Sequence, residues 1–137
     1  MSKFTTYAND VLDAGYNNGS TGTFTMGATT YTLPVKAELT TTVSTAGTPG
    51  TLVAGGSYAA QSLAGNFTSA AASASKASTG ALTYSGMPAC TWADVYLRDS
   101  TGTPKPMNFR GGSSLAKTVN AGDTALIPIG SLTGSET

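Results

Sequence analysis

Seven carboxylates are the main acid–base material of this chain, which has no His. They are Asp10, Asp13, Glu38, Asp94, Asp99, Asp123 and Glu136. General acid–base catalysis needs a His or two carboxylates placed together. Asp94 and Asp99 share one strand-like arm, but their odd spacing sends them to opposite faces of a strand. Asp10 and Asp13 fall on the polar face of a helical segment. Asp99 and Asp123 sit in turns, where Asp is favoured for its bonds to nearby backbone.

Nucleophiles fare no better. Ser114 and Lys117 have S-x-x-K spacing, with Ser113 alongside, but they lie in a strand-and-turn context with no companion motif. Cys90 is the only Cys, so it forms no intramolecular disulfide. It sits in PACTW with no Lys or Arg close by to lower its thiol pKa, and reads as a small buried hydrophobe. The sequence holds no zinc-type cluster, no acidic calcium loop and no P-loop. The expectation is a non-enzymatic protein with no catalytic residue, metal or cofactor.

What remains is contact chemistry. Trp92, Tyr96 and Arg98 alternate along one strand face, and these residue types dominate interface hot spots. The same face could equally be the inner side of a second layer, with Asp94 and Arg98 as a same-face pair. Tyr7, Val11 and Leu12 form the apolar stripe of a short helix, which must dock on its own sheet or on a neighbour to persist. Tyr7, Val11, Leu12, Trp92, Tyr96 and Arg98 are therefore the candidate protein-contact residues.

The elements that must position them follow from pattern. Residues 5–16 have helical spacing, with Thr5 or Thr6 as cap and Asn17, Asn18 and Gly19 as terminator. Residues 17–29 read as a loop or poor strand. Residues 30–42 alternate cleanly, with Tyr31, Leu33, Val35, Ala37 and Leu39 on one face, and Pro34 makes this an edge or bulged strand. Residues 44–56 are turn-rich, 57–64 a weak strand, 66–80 irregular and 81–86 a short strand. Residues 91–99 are the strongest strand, with Ala93, Val95 and Leu97 facing the core. It turns through 99–104 into a partner strand at 105–111. Residues 120–123 make a second tight turn before a last, edge-like strand at 124–129.

The expected fold is mainly β: an antiparallel β-sandwich or partly closed barrel with one short N-terminal helix. It divides into an arm with the helix (1–20), a β-rich domain (21–130) and a flexible tail (131–137). Composition agrees with a surface-driven role. Charged residues make up only 10%, net charge is zero, and Ser and Thr number 39 of 137. No basic patch exists to attract nucleic acid. No apolar run is long enough to span a membrane. The first fifteen residues lack the apolar stretch of a signal peptide.

The order of motifs resembles a known family. ANDVLDAGYN, TYTLPVKAELTTT, GGSYAAQSLAGNFTSAA, TWADVYLRDSTG and KTVNAGDTALIPIGSLT follow one another as in small structural proteins of tailed bacteriophages, especially phages of actinobacteria. KTVNAGDT at 117–124 and GGSYAAQ at 55–61 are the sharpest matches. The family's Arg in its Y-A-R-Q segment is Ala60 here, so any role of that Arg does not carry over. The resemblance implies a virion component. One implied role is a capsid decoration (cement) protein on the outside of the phage major capsid protein lattice, homo-oligomeric and trimeric by expectation. It would be made in the bacterial host cytoplasm. The other is a tail fibre or tail-tip module contacting the host surface, for which the Trp92 and Tyr96 face would offer a platform for a glycan.

Overall fold

The structure is a computed structural model that describes residues 4–16, 21–45, 47–67, 71–111 and 117–135. Asn17, Asn18, Gly19, Ser113, Ser114 and Glu136 lie outside the described residues. The fold is mainly β and antiparallel, with one short N-terminal helix. Twelve strands appear among the described residues, more and shorter than the six or seven that alternation suggests.

Helix α1 (Thr5–Gly15) buries Ala8 and Leu12, one turn apart, and sets Tyr16 onto Phe67 with ring centroids 4.8 Å apart. Neither Thr5 nor Thr6 caps it. Phe4 takes the extended N-cap conformation and its carbonyl accepts the Ala8 N–H at 3.0 Å. Both threonines therefore lie inside the first turn, past the position from which a hydroxyl caps. The 17–29 segment also departs from expectation. Strands β1 (Gly22–Met26) and β2 (Thr29–Leu33) form a hairpin over Gly27 and Ala28. Gly27 has φ +61, the left-handed start that such two-residue turns require.

The alternating 30–42 segment is two strands. The ladder breaks at the cis Leu33–Pro34 bond, where proline has no N–H to give, and resumes as β3 (Lys36–Thr40). The burial parity survives the break, since Leu33, Val35, Ala37 and Leu39 are all buried. The edge expectation does not survive. β3 lies inside a four-stranded sheet of order β4-β3-β8-β9, with β4 at Gln61–Ser62, β8 at Asp94–Arg98 and β9 at Pro106–Gly111.

The rest of the β structure is one nested ribbon. The hairpin β8–β9 is its closed end. Outward from it, β7 (Cys90–Trp92) pairs with β10 (Lys117–Val119), and β6 (Leu82–Tyr84) with β11 (Ala125–Ile127). The register is the same in both pairs, with 85–89 and 120–124 looped out between them. Finally β5 (Ser75–Ala77) pairs with β12 (Thr133–Ser135). The segment expected to be a loose tail thus belongs to the ladder as far as residue 135, anchored by buried Leu132. Helix α1 packs against β5 and β12 at this open end.

The expected strand 91–99 also divides. Trp92 belongs to β7 and pairs with β10, whereas Asp94 opens β8 and pairs with β3 and β9. The chain changes sheet at Ala93, whose N–H donates to the Thr40 carbonyl at 2.7 Å. One core runs through all layers, from Leu12 and Phe67 through Tyr84 and Trp92 to Val95 and Ile127.

Candidate protein-contact surface

The change of sheet at Ala93 decides the fate of the expected Trp92–Tyr96–Arg98 face. Trp92 is 1% exposed and Tyr96 6% exposed. Both belong to the interior: Trp92, on β7, is part of the core cluster, and β8 is covered on both faces, since Asp94, Val95, Tyr96 and Leu97 are all buried. This is a correction to the reading of Trp92 and Tyr96 as contact residues. It also withdraws the stacking surface that sugar binding asks of Trp92. Arg98 is partly buried and does not pair with Asp94. Its guanidinium reaches across to β3 and donates to Glu38 Oε1 at 3.0 Å, and donates again to the Asp99 carbonyl at 3.0 Å. A cleft of about 250 Å³ lies over this pair, walled by Pro49, Leu52, Tyr96 and Pro104.

Asp94 and Asp99 are both fully buried, and both are occupied by backbone. Asp94 Oδ2 accepts the Ser44 N–H at 2.9 Å and holds the 41–52 connection. Asp99 accepts the N–H of Lys105 at 2.8 Å, the Thr101 hydroxyl at 2.8 Å and the Thr32 N–H at 3.1 Å. Lys105 Nζ adds an ion pair at 3.5 Å. Burial opposes ionisation of Asp99, but these donors outweigh it and hold its pKa at about 2. Asp13 likewise serves structure. The Lys76 ammonium at 2.6 Å, with help from the Ala71 N–H, lowers its pKa and ties α1 to β5. Among the described residues, no three His, Cys, Asp or Glu side chains converge as metal ligands. No described helix is long and apolar enough to cross a membrane. Cys90 is half-buried, and that burial raises its thiol pKa.

The exposed apolar surface lies elsewhere, between α1 and the β1–β2 hairpin. Leu12 is buried at 3% exposure, so it docks the helix on its own core and is withdrawn from contact. Tyr7 is 58% exposed and Val11 is half-buried, and Phe4 extends the same side at 88%. Met26, at 45%, faces them from the hairpin tip. Two neighbouring cavities of about 240 Å³ and 370 Å³ share Val11 and Met26 as walls. The floor of the smaller one is aromatic, with Phe24 stacked on Tyr31 at 5.1 Å. Among the described residues, Asp10 is the sole charged one along either cavity wall. Of the six residues singled out from sequence, the structure brings Tyr7 and Val11 together here. Sequence reasoning missed Phe4, Phe24, Met26 and Tyr31. The Thr–Phe–Thr–Met alternation ahead of Gly27 was the signal that a strand stood there.

No protein-family model, no curated protein and no solved structure matches this chain.

Proposed function

We propose that this chain is a non-enzymatic structural component of a bacteriophage virion, specifically a decoration protein that binds the outside of the major capsid protein lattice. The observation that carries the binding role is the apolar surface of Phe4, Tyr7, Val11 and Met26 beside an aromatic-floored cleft. Concentrated exposed apolar area is the usual mark of a protein-contact site. The virion assignment comes from the motif order that resembles phage structural proteins. The deployment of the buried acids supports a structural role, since Asp94 and Asp99 each accept hydrogen bonds from backbone N–H groups.

Such a protein would stabilise the head by bridging capsid subunits, with affinity drawn from apolar burial rather than charge. Co-sedimentation with purified capsid shells tests this. Wild-type protein should pellet with shells, and Tyr7→Glu with Met26→Glu should remain in the supernatant while keeping its fold. Imaging of labelled virions provides the second arm. Label confined to tails would overturn the decoration reading and favour the tail-tip alternative.

A further inference from the structure

The β1–β2 hairpin has one satisfied edge and one open edge, and parity tells which backbone groups lie on each. In an antiparallel pair, successive residues aim their N–H and C=O alternately at the partner strand and away from it. Thr32 donates its N–H to Asp99 Oδ2 at 3.1 Å, and its carbonyl accepts the Ser100 N–H at 2.9 Å. Both groups of Thr32 therefore point away from β1. Its register partner Thr23 must point away on the other side, and so must Thr25. Gly22, Phe24 and Met26 are the residues that bond β2. Among the described residues, no strand pairs with the outer edge of β1.

Natural sheets guard such edges with charge, proline or very short strands. The edge strand β9 opens on Pro106, and β4 has only two residues. β1 reads GTFTM and carries none of these guards. We propose that the open edge of β1 receives β1 of a second copy of this chain, antiparallel, about a twofold axis.

Self-complementarity names this occupant. An axis at Phe24 sets Thr23 opposite the second copy's Thr25, and Thr25 opposite its Thr23. These are the residues whose N–H and C=O point outward, so each pair exchanges both hydrogen bonds. Phe24 meets its own counterpart in the closer, non-hydrogen-bonded position, where cross-strand aromatic pairs are favourable. The Phe24–Tyr31 stack then continues across the axis onto its copy. With no charge on β1, no like-charge repulsion opposes the pairing. The twofold contact closes on itself and predicts a dimer where the motif resemblance leads one to expect a trimer. It is independent of the virion reading, since both partners are this chain.

Thr25→Pro tests the contact, because it removes an outward N–H and no backbone bond to β2, at the cost of one exposed hydroxyl contact to Thr30 at 2.9 Å. Sedimentation of the full chain across a concentration series should show wild-type protein passing from monomer to dimer. Thr25→Pro should weaken the dimer at least tenfold, with wild-type circular dichroism and melting. Thr23→Lys with Thr25→Lys sets like charges opposite one another, and should weaken it in a way that added salt relieves. This variant decides the matter if the proline variant does not fold. Amide exchange by NMR gives the register: Thr23 and Thr25 should gain protection only at high concentration, and Phe24 and Met26 should be protected throughout. A chain monomeric to millimolar concentration, a trimer, a dimer indifferent to both variants, or an edge that pairs only with another protein would overturn the proposal.

Discussion

Asp99→Asn isolates what a buried carboxylate does for this fold. Both oxygens accept: Oδ1 from the Lys105 N–H and the Thr101 hydroxyl, Oδ2 from the Thr32 N–H. An amide can replace only one of them with an acceptor. Whichever way it turns, its NH₂ faces a donor that has no other place to go. A buried unsatisfied group costs ~1–3 kcal/mol, and a hydrogen bond to a charged group contributes ~1.5–3 kcal/mol. The Lys105 pair is half open to solvent at its amine and adds little. The net loss should be about 3 kcal/mol at neutral pH. At roughly 3 °C per kcal/mol for a chain of this length, melting should fall by about 9 °C. The pH dependence sharpens the test. The folded pKa of about 2 lies below the usual aspartate value. The associated stability is thus fully present above about pH 4 and lost as pH falls toward about 2. Denaturant titrations at neutral and acid pH should show the wild type losing this part of its stability over that window, while Asp99→Asn lacks that acid-labile component. A variant within ~0.5 kcal/mol of wild type at neutral pH, or one with the same acid limb, would refute the reasoning.

Ser73 and Ala74 both have positive φ in the two-residue turn between Ala72 and Ser75, a geometry that favours Asn-Gly. Ala74→Gly should therefore stabilise by ~0.5–1 kcal/mol in a thermal melt, since relief of left-handed strain exceeds the added unfolded-state entropy. Burial raises the Tyr58 pKa to about 12 and raises Tyr84 as well. Their neutral forms stabilise the fold below pH ~10, and this contribution fades as pH rises through the folded values. Spectrophotometric titration should find Tyr58 and Tyr84 resisting ionisation to well above the ordinary tyrosine range, with Tyr96 also raised by its burial. Trp92 lies in the core, so its fluorescence should resist acrylamide quenching in the native state, and Trp92→Ala should cost ~3–5 kcal/mol.

Local pattern made part of this molecule legible. The alternation through Leu33, Val35, Ala37 and Leu39 predicted their burial, and the turn at 99–104 predicted the β8–β9 hairpin. What alternation cannot show is which sheet a strand joins. The reading of 91–99 as one strand assumed one inner and one outer face. The change of partner at Ala93 gives Trp92 and Tyr96 separate surroundings, both interior. Arg98 chose Glu38, sixty residues earlier, over its same-face neighbour Asp94 because the β3–β8 register sets Glu38 diagonal to it. For the contact surface, helical spacing revealed Tyr7 and Val11. Their hairpin neighbours stayed hidden because Gly27 and Ala28 interrupt a short Thr-rich run that looks like loop.

The nested ribbon bears on how this protein answers force. Its strands pair one behind another from the 99–105 turn outward, so each new pairing closes only a short added loop once the previous one is made. The same order run backward is an unzipping path. Tension that draws residues 75 and 135 apart meets the pairs one at a time rather than all together. Helix α1 lies across that vulnerable end, with Asp13 on Lys76 and Asn9 on the Ala74 N–H. It works as a clasp, so the ribbon begins to peel only once the helix and buried Leu132 have let go of the core.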